Sequence, residues 1–274
     1  MTPKVALVTG ASSGIGESTA RELLARGYTV YGAARRVARM ADLAARGVRT
    51  IALDVTDEES AEKAVAAIVA ESGRIDLLVN NAGYGSYGAV EDVPLSEARY
   101  QFEVNVFGAA RLIQLVLPVM RAQRSGRIVN ISSMGGKIHT PLGAWYHGTK
   151  FALEGFSDAL RMEVRPFGID VVVIEPGGIA TEWGNIAVDH MKEVSGEGAY
   201  SDLTGKLAKG MTSGINARLM SQPSVIAKTV AKAATARRPR TRYAAGFGAK
   251  PLIFLRRVLP DRAFDTLIMR AVAS

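Results

Sequence analysis

Six short runs in this chain are apolar at nearly every position, and that continuity limits the possible folds more than any other feature. They are KVALVT (4–9), TVYGAA (29–34), VRTIALD (48–54), IDLLVN (75–80), GRIVNIS (126–132) and IDVVVIEP (169–176). A strand with one wet face alternates apolar and polar residues, whereas a run rich in Val and Ile throughout reads as a strand buried on both faces. Segments of helical composition lie between the runs, at 15–26, 36–46, 57–72, 96–124 and 146–165. Strand–helix–strand repetition requires crossovers, and crossovers are right-handed. The expected fold is therefore α/β: a doubly wound parallel sheet of about seven strands in three layers, with its ligand crevice at the carboxyl ends of the strands.

No linker divides the 274 residues, so the reading is one domain. The glycine-rich polar stretch from about Gly184 to Gly214 interrupts the rhythm and reads as an excursion over the sheet edge, a substrate lid at about 182–221. Beyond it a helix is expected at 223–236 and a short strand, RTRYAAG, at 240–246. Apolar–basic helical segments follow near 251–258 and 261–272, within a tail of about 250–274. With 48% apolar and 22% charged residues the composition excludes a disordered chain. The absence of cysteine removes disulfides and thiolate metal sites and fits a reducing cytoplasm. No apolar run approaches the ~18–20 residues of a membrane helix, and the start of the chain runs straight into a strand rather than a signal peptide.

The first strand ends in TGASSGIG, in which Gly10, Ser12, Ser13, Gly14, Ile15 and Gly16 open a helix. Glycine permits the tight turn, and the helix N-terminus and its N–H groups suit a pyrophosphate. A strand before and a helix after are the context that a dinucleotide-binding, Rossmann-type turn requires. The spacing is G-x-x-x-G-x-G rather than G-x-G-x-x-G. The second strand ends in Ala34, Arg35 and Arg36, with no acid where NAD would need one. An arginine there accommodates a 2′-phosphate, so NADP(H) is the expected cofactor. Arg35 is the leading contact, Arg36 is a candidate to stack on adenine, and Ser13 is able to add a hydroxyl.

Taken in order, these motifs resemble the short-chain dehydrogenase/reductase family in its compact form. After TGASSGIG come LDVTD (53–57), NNAG (80–83), Asn105, ISS (131–133), YHGTK (146–150) and PGGIAT (176–181). RTRYAAG and the tail resemble the branch that includes 17β-hydroxysteroid dehydrogenase-like and related bacterial reductases. The resemblance implies reversible hydride transfer between NADP(H) and a ketone or aldehyde. Tyr146 and Lys150, one helical turn apart, share a face. Beside an ammonium and oxidised nicotinamide, the Tyr146 phenol is expected to acidify toward a working acid–base group. The resemblance gives Lys150 a second role on the nicotinamide ribose and makes Asn105 the holder of a water in a proton relay. Ser133 would hydrogen-bond the substrate oxygen; strand alternation sends its competitor Ser132 to the opposite face.

By the same resemblance Asp54 and Val55 meet the adenine ring, although Asp54 also reads as a helix cap. Asn81, Ala82 and Gly83 pass close to the adenosine ribose, and Pro176, Gly177, Ile179 and Thr181 cover the carboxamide. The substrate pocket is expected from 84–95, 134–145 and the excursion, with Tyr84, Met134, Leu142, Trp145 and Trp183 making it apolar and suited to a lipophilic carbonyl compound or alcohol. His147 is expected to face a neighbouring helix. With His139 and His190 lying apart from it, no metal site is expected. The family habit implies a homo-dimer or homo-tetramer through the 96–124 and 146–165 helices.

The net charge is +8, and from Arg237 onward nine basic residues meet only Asp261 and Asp265. The bland reading is a solvated face, with no nucleic acid as partner. The apolar–basic mixture leaves interfacial membrane contact open as an addition to catalysis. A non-catalytic NADP-binding regulator is the alternative of another class, but such a chain would be expected to lose Tyr146 or Lys150, and this one keeps both.

Overall fold

A computed structural model describes residues 3–212 and 219–273. Seven parallel strands form one sheet in the order β3-β2-β1-β4-β5-β6-β7. They are β1 (Val5–Thr9), β2 (Thr29–Ala34), β3 (Arg49–Ala52), β4 (Leu77–Asn80), β5 (Gly126–Ile131), β6 (Ile169–Pro176) and β7 (Arg242–Ala245). The chain runs outward from β1 to β3, then returns to place β4 on the other side of β1. That reversal opens a crevice at the strand ends between β1 and β4. The central strands β1 and β4 are buried at every position, as their unbroken apolar runs demand. β3 is an edge strand with Arg49 and Ala52 exposed, which is why it is shorter than its apolar run.

Two cores sandwich the sheet. On one face α1 (Gly14–Ala25) packs with a later helix, Pro223–Thr235, over Ala6, Val8, Val129 and Val172. On the other, α3 (Glu58–Ser72), α5 (Gly108–Gln123) and α6 (Ala144–Val164) cover Leu7, Leu78, Ile128 and Val171. The expected helix at 36–46 is a 3₁₀ turn, Val37–Met40, followed by the short α2 (Ala41–Ala45).

The expected helix at 96–124 is α4 (Leu95–Phe102) and α5 joined by a π turn, Glu103–Phe107. By length and composition this 29-residue helix is able to cross a membrane. Its Leu112, Ile113, Val116 and Met120 nevertheless lie in the core, as a packed domain helix requires.

The glycine-rich stretch is largely helical. α7 (Trp183–Ser195) and α8 (Ser201–Thr212) each bury one stripe, Ala187, Val188 and Met191 in the first and Thr204, Leu207 and Ala208 in the second. Helical spacing of these few buried residues outweighs the glycines, of which Gly198, Gly205 and Gly210 are exposed. Residues 213–218 of the expected lid lie outside the described residues. The chain closes with α9 (Pro223–Thr235), β7, α10 (Ala249–Val258) and α11 (Asp261–Ala273).

Gly16 shows how tightly β1, α1 and the end of β4 meet. A Cβ there would collide with the Gly10 carbonyl oxygen and lie 2.5 Å from Asn81 Nδ2. Gly16→Ala is expected to lower stability by about 1–3 kcal/mol through overpacking, read as a reduced denaturation midpoint at unchanged m-value.

Candidate active site

The buried stripe of α6 carries Tyr146, Lys150, Leu153, Glu154 and Ser157, the i, i+3, i+4 repeat of a helix laid on a sheet. It brings Tyr146 and Lys150 to the carboxyl ends of β4 and β5, where Ser133 follows the last residues of β5. Ser133 is in an extended conformation and caps a 3₁₀ turn, accepting a hydrogen bond from Gly135 N–H at 2.9 Å. Ser132 points the other way. Its hydroxyl is buried without a hydrogen-bond partner, on the side where a Cβ on Gly136 would come within 2.7 Å of it.

Lys150 is 7% exposed, and its Nζ donates to the Ile131 carbonyl at 3.0 Å. Burial pulls its pKa down to about 8, with the Glu154 carboxylate acting against this. The ammonium lies 6.0 Å from the centre of the Tyr146 ring. Acidification of the phenol is not what this state shows: burial pushes Tyr146 up to about 12, and the Ser133 hydroxyl opposes that only in part. Removal from water outweighs the other influences, and the phenol keeps its proton at neutral pH.

Asn105 sits in the π turn, buried. Its Oδ1 accepts from Tyr84 N–H at 3.0 Å, and its Nδ2 donates to Tyr84 O at 2.9 Å and to Thr149 Oγ1 at 3.1 Å. The side chain is thus occupied as a clamp on the loop after β4. Gly83 admits it, because a Cβ there would lie 2.9 Å from Asn105 Oδ1 and 3.7 Å from Lys150 Nζ.

The glycine turn fits a dinucleotide. Gly10 and Gly14 have φ of 64° and 56°, in the left-handed region. Ser13, at the N-cap of α1, makes no side-chain capping bond, so the first-turn N–H groups remain for an anion. Thr181 stands opposite, with its Cγ2 3.2 Å from where a Gly14 Cβ would be. Asn81 fixes the turn by donating to Thr9 O at 2.9 Å, while Thr9 Oγ1 accepts from the N–H groups of Asn81 and Ala82 at 3.0 and 2.9 Å.

Asp54 does not cap α3, whose cap is Asp57. Its Oδ1 instead accepts from Thr56 N–H and Oγ1. The Arg35 side chain is 65% exposed at the end of β2, 4.0 Å from Asp54 and bonded to Tyr100 Oη at 3.2 Å. Arg36 is exposed beside it, and Val55 is buried against the Gly108 position. Pro176 ends β6, Gly177 N–H bonds Ala245 O at 2.8 Å, and Ile179 pairs with Ser221.

Two aromatic rings close over the phenol. Trp183 lies 5.1 Å from Tyr146 between ring centres, Tyr87 lies 5.6 Å from Tyr146, and the two are 6.0 Å apart. Leu142 packs in the same apolar cluster. Gly85 leaves the room that Trp183 occupies. Tyr84 bonds Glu97 at 2.9 Å, and burial together with that carboxylate raises its pKa.

Two expected pocket residues lie elsewhere. Met134 packs with Ile138 and Phe264, and Trp145 lines a surface hollow of about 480 Å³ with Leu95, Phe102 and Phe107. Thr9, Tyr87 and Thr149 were missed. Thr9 and Thr149 lie within the motifs TGASSGIG and YHGTK, and Tyr87 within the 84–95 segment expected to line the pocket, but no spacing marks any of the three. His147 faces the turn at 134–140 rather than a helix. Its Nε2 accepts from Thr140 N–H at 3.0 Å, so Nδ1 donates to Gly135 O at 2.9 Å.

The family model for short chain dehydrogenase matches residues 4–191. The chain is 33% identical to a probable short-chain type dehydrogenase/reductase, VdlC, of Helicobacter pylori over 98% of its own length and 97% of the relative's. It is 43% identical to a 3-ketodihydrosphingosine reductase of Bacteroides thetaiotaomicron over 66% of each. The crystal structure of a short-chain dehydrogenase from Streptomyces avermitilis superimposes with a TM-score of 0.82 at 36% identity, covering 100% of this chain and 98% of that one. A serine dehydrogenase in complex with NADP+ does so with a TM-score of 0.77 at 25% identity, covering 88% and 94%.

Burial holds the His147 pKa below its ordinary value against the opposing Gly135 bond. The unfolded chain takes up this proton near pH 6.5 while the folded one resists it, so stability is lost as pH falls below about 6.5. Glu175, raised to about 7 from 4.5 chiefly by burial, contributes in the opposite sense between those values. Only the difference between wild type and variant isolates the histidine. His147→Gln is expected to cost about 1 kcal/mol at neutral pH, with the deficit shrinking toward about pH 5.5 in denaturant titrations.

Proposed function

This chain belongs to the short-chain dehydrogenase family, an oxidoreductase of small molecules, and we propose that it is an NADP(H)-dependent carbonyl reductase acting on a lipophilic ketone or aldehyde. One observation carries the reading: Tyr146, Lys150 and Ser133 converge at the strand ends beside a glycine turn that suits a dinucleotide. Gly10–Gly16, with Asn81, Ala82, Gly83 and Thr181 about them, would hold the cofactor, which would supply the hydride. Tyr146 gives its proton to the substrate oxygen, which Ser133 orients by a hydrogen bond. Lys150, fixed on Ile131, keeps positive charge beside the phenol.

Two exposed arginines at the end of β2, with no acid there, support NADP(H) over NAD(H). The rings of Tyr87, Trp183 and Tyr146, with Leu142, favour an apolar substrate. One relative is named as a 3-ketodihydrosphingosine reductase, a name that specifies reduction of a keto compound and is in keeping with this reading. The resemblance of RTRYAAG and the tail to 17β-hydroxysteroid dehydrogenase-like reductases points the same way. Leu95, Phe107, Phe151 and Met162, exposed on α4–α6, support assembly of two or four copies through those helices.

Tyr146→Phe is expected to lower kcat by about 10²–10⁴-fold while leaving NADPH affinity within a few-fold, followed by NADPH absorbance over a panel of carbonyl compounds. Near-normal turnover would refute the assignment. Arg35→Asp is expected to turn the kcat/KM preference from NADP(H) toward NAD(H), and an unchanged ratio would remove the arginine from cofactor choice.

A further inference from the structure

The tail presents a face that neither the sheet nor the catalytic site uses. Along α10 the outward positions are Lys250, Phe254, Arg257 and Val258, an i, i+4, i+7, i+8 series. Phe254 is 63% exposed and Val258 54%, while Leu252 and Leu259 turn inward to pack near Ile138 and Phe264. α11 repeats the arrangement, burying Phe264 and Ile268 and exposing Arg262, Met269 and Arg270. Apolar side chains set among cations along one face are what a helix lying in a membrane interface carries.

Charge pairing sharpens the point. Arg242 is engaged by Glu154 and Asp158, and Arg256 by Asp261. Lys250, Arg257, Arg262 and Arg270 form no ion pair with another described residue, nor do Arg237, Arg238 and Arg240 just ahead of β7. The two acids of the segment, Asp261 and Asp265, are already held by Arg256 and His139.

We propose that α10 and α11 dock the protein on an anionic lipid surface, with Phe254 and Val258 entering the acyl boundary and the unpaired cations meeting lipid phosphates. A second copy fits this face poorly, because a two-fold contact sets the same cations against their own images. Nucleic acid would use the cations but leave Phe254 and Val258 in water. The inner side of the same helices braces the 134–142 segment through Ile138, Phe264 and the His139–Asp265 contact at 2.9 Å. Docking would therefore set the substrate side of the site near the bilayer. The proposal does not depend on the catalytic reading, since vesicle binding is measured without turnover.

The test is co-sedimentation of the full chain with vesicles of phosphatidylcholine alone or with added phosphatidylglycerol, at low and high salt. Binding is expected to the anionic vesicles and to weaken with salt. Phe254→Ser combined with Val258→Ser should lower it by about ten-fold or more, and Arg257→Gln by about five-fold. Turnover of a water-soluble carbonyl and the thermal midpoint should be unchanged in both variants. No sedimentation with either vesicle at low salt, or equal binding by the double variant, overturns the proposal. So does capture by duplex DNA without vesicle binding, or a concentration-dependent dimer abolished by the same substitutions while vesicles are ignored.

Discussion

The hydrogen bond from Lys150 Nζ to the Ile131 carbonyl ties α6 to the end of β5, and the geometry of the site depends on it. An ammonium removed from water costs several kcal/mol unless it is bonded and compensated. The carbonyl at the strand end supplies the bond, and Glu154, one turn further along the helix, supplies the opposing charge. With that tether fixed, the register of α6 over the strand edge is fixed as well. Tyr146 lies one turn before Lys150, and Ser133 lies two residues beyond Ile131. The phenol and the hydroxyl meet because one buried cation anchors the helix that carries the first beside the strand that carries the second.

Glu154 is itself 3% exposed and has to be balanced. Lys137 reaches its Oε2 at 2.8 Å and Arg242 at 2.9 Å, while Arg242 also bonds Asp158 at 2.6 Å. Glu175, next to Pro176 in β6, approaches Arg242 only to 3.5 Å. One oxygen of each glutamate and the Ser132 hydroxyl lack a hydrogen-bond partner. Burial, with Glu154 as the next cause, raises Glu175 to about 7, so it keeps a proton in weak acid and adds a negative charge as pH passes neutrality. Arg242 belongs to β7, within RTRYAAG and far along the chain from Tyr146 and Lys150. The last strand thus braces the helix that carries Tyr146 and Lys150 as well as closing the sheet.

The strands and the cofactor turn were legible in the sequence because main-chain requirements leave a residue signature. Strands buried on both faces must be apolar throughout, and β2 and β6 begin and end where their runs do. Gly10, Gly14 and Gly16 each answer a left-handed backbone conformation or a close approach that a side chain would strain. The two helices of the 182–212 region were hidden, because their apolar stripes are short and glycines stand among them. Asp57 rather than Asp54 caps α3, a choice between neighbouring acids that composition does not resolve. His147 was misplaced for a related reason: its partners, Gly135 and Thr140, belong to an irregular turn with no periodicity to reveal which way it folds.

The part of the crevice around Tyr146 follows different physics from the part at the glycine turn. Backbone groups build the glycine turn, so a few glycines specify it. Side chains from three separate segments build the other: Tyr87 after β4, Leu142 before α6 and Trp183 in α7. Such a wall has no local spacing rule, and only the folded chain shows that Trp145 belongs to a different surface. The wall also has an electrostatic effect. Rings packed against Tyr146 exclude water, and burial holds the phenol near 12 while pulling Lys150 toward 8. On the proposed reading, the resting site is a proton donor with a cation beside it, the state that carbonyl reduction requires. Alcohol oxidation needs the phenolate instead, and stabilising it calls for positive charge beyond what Lys150 alone provides.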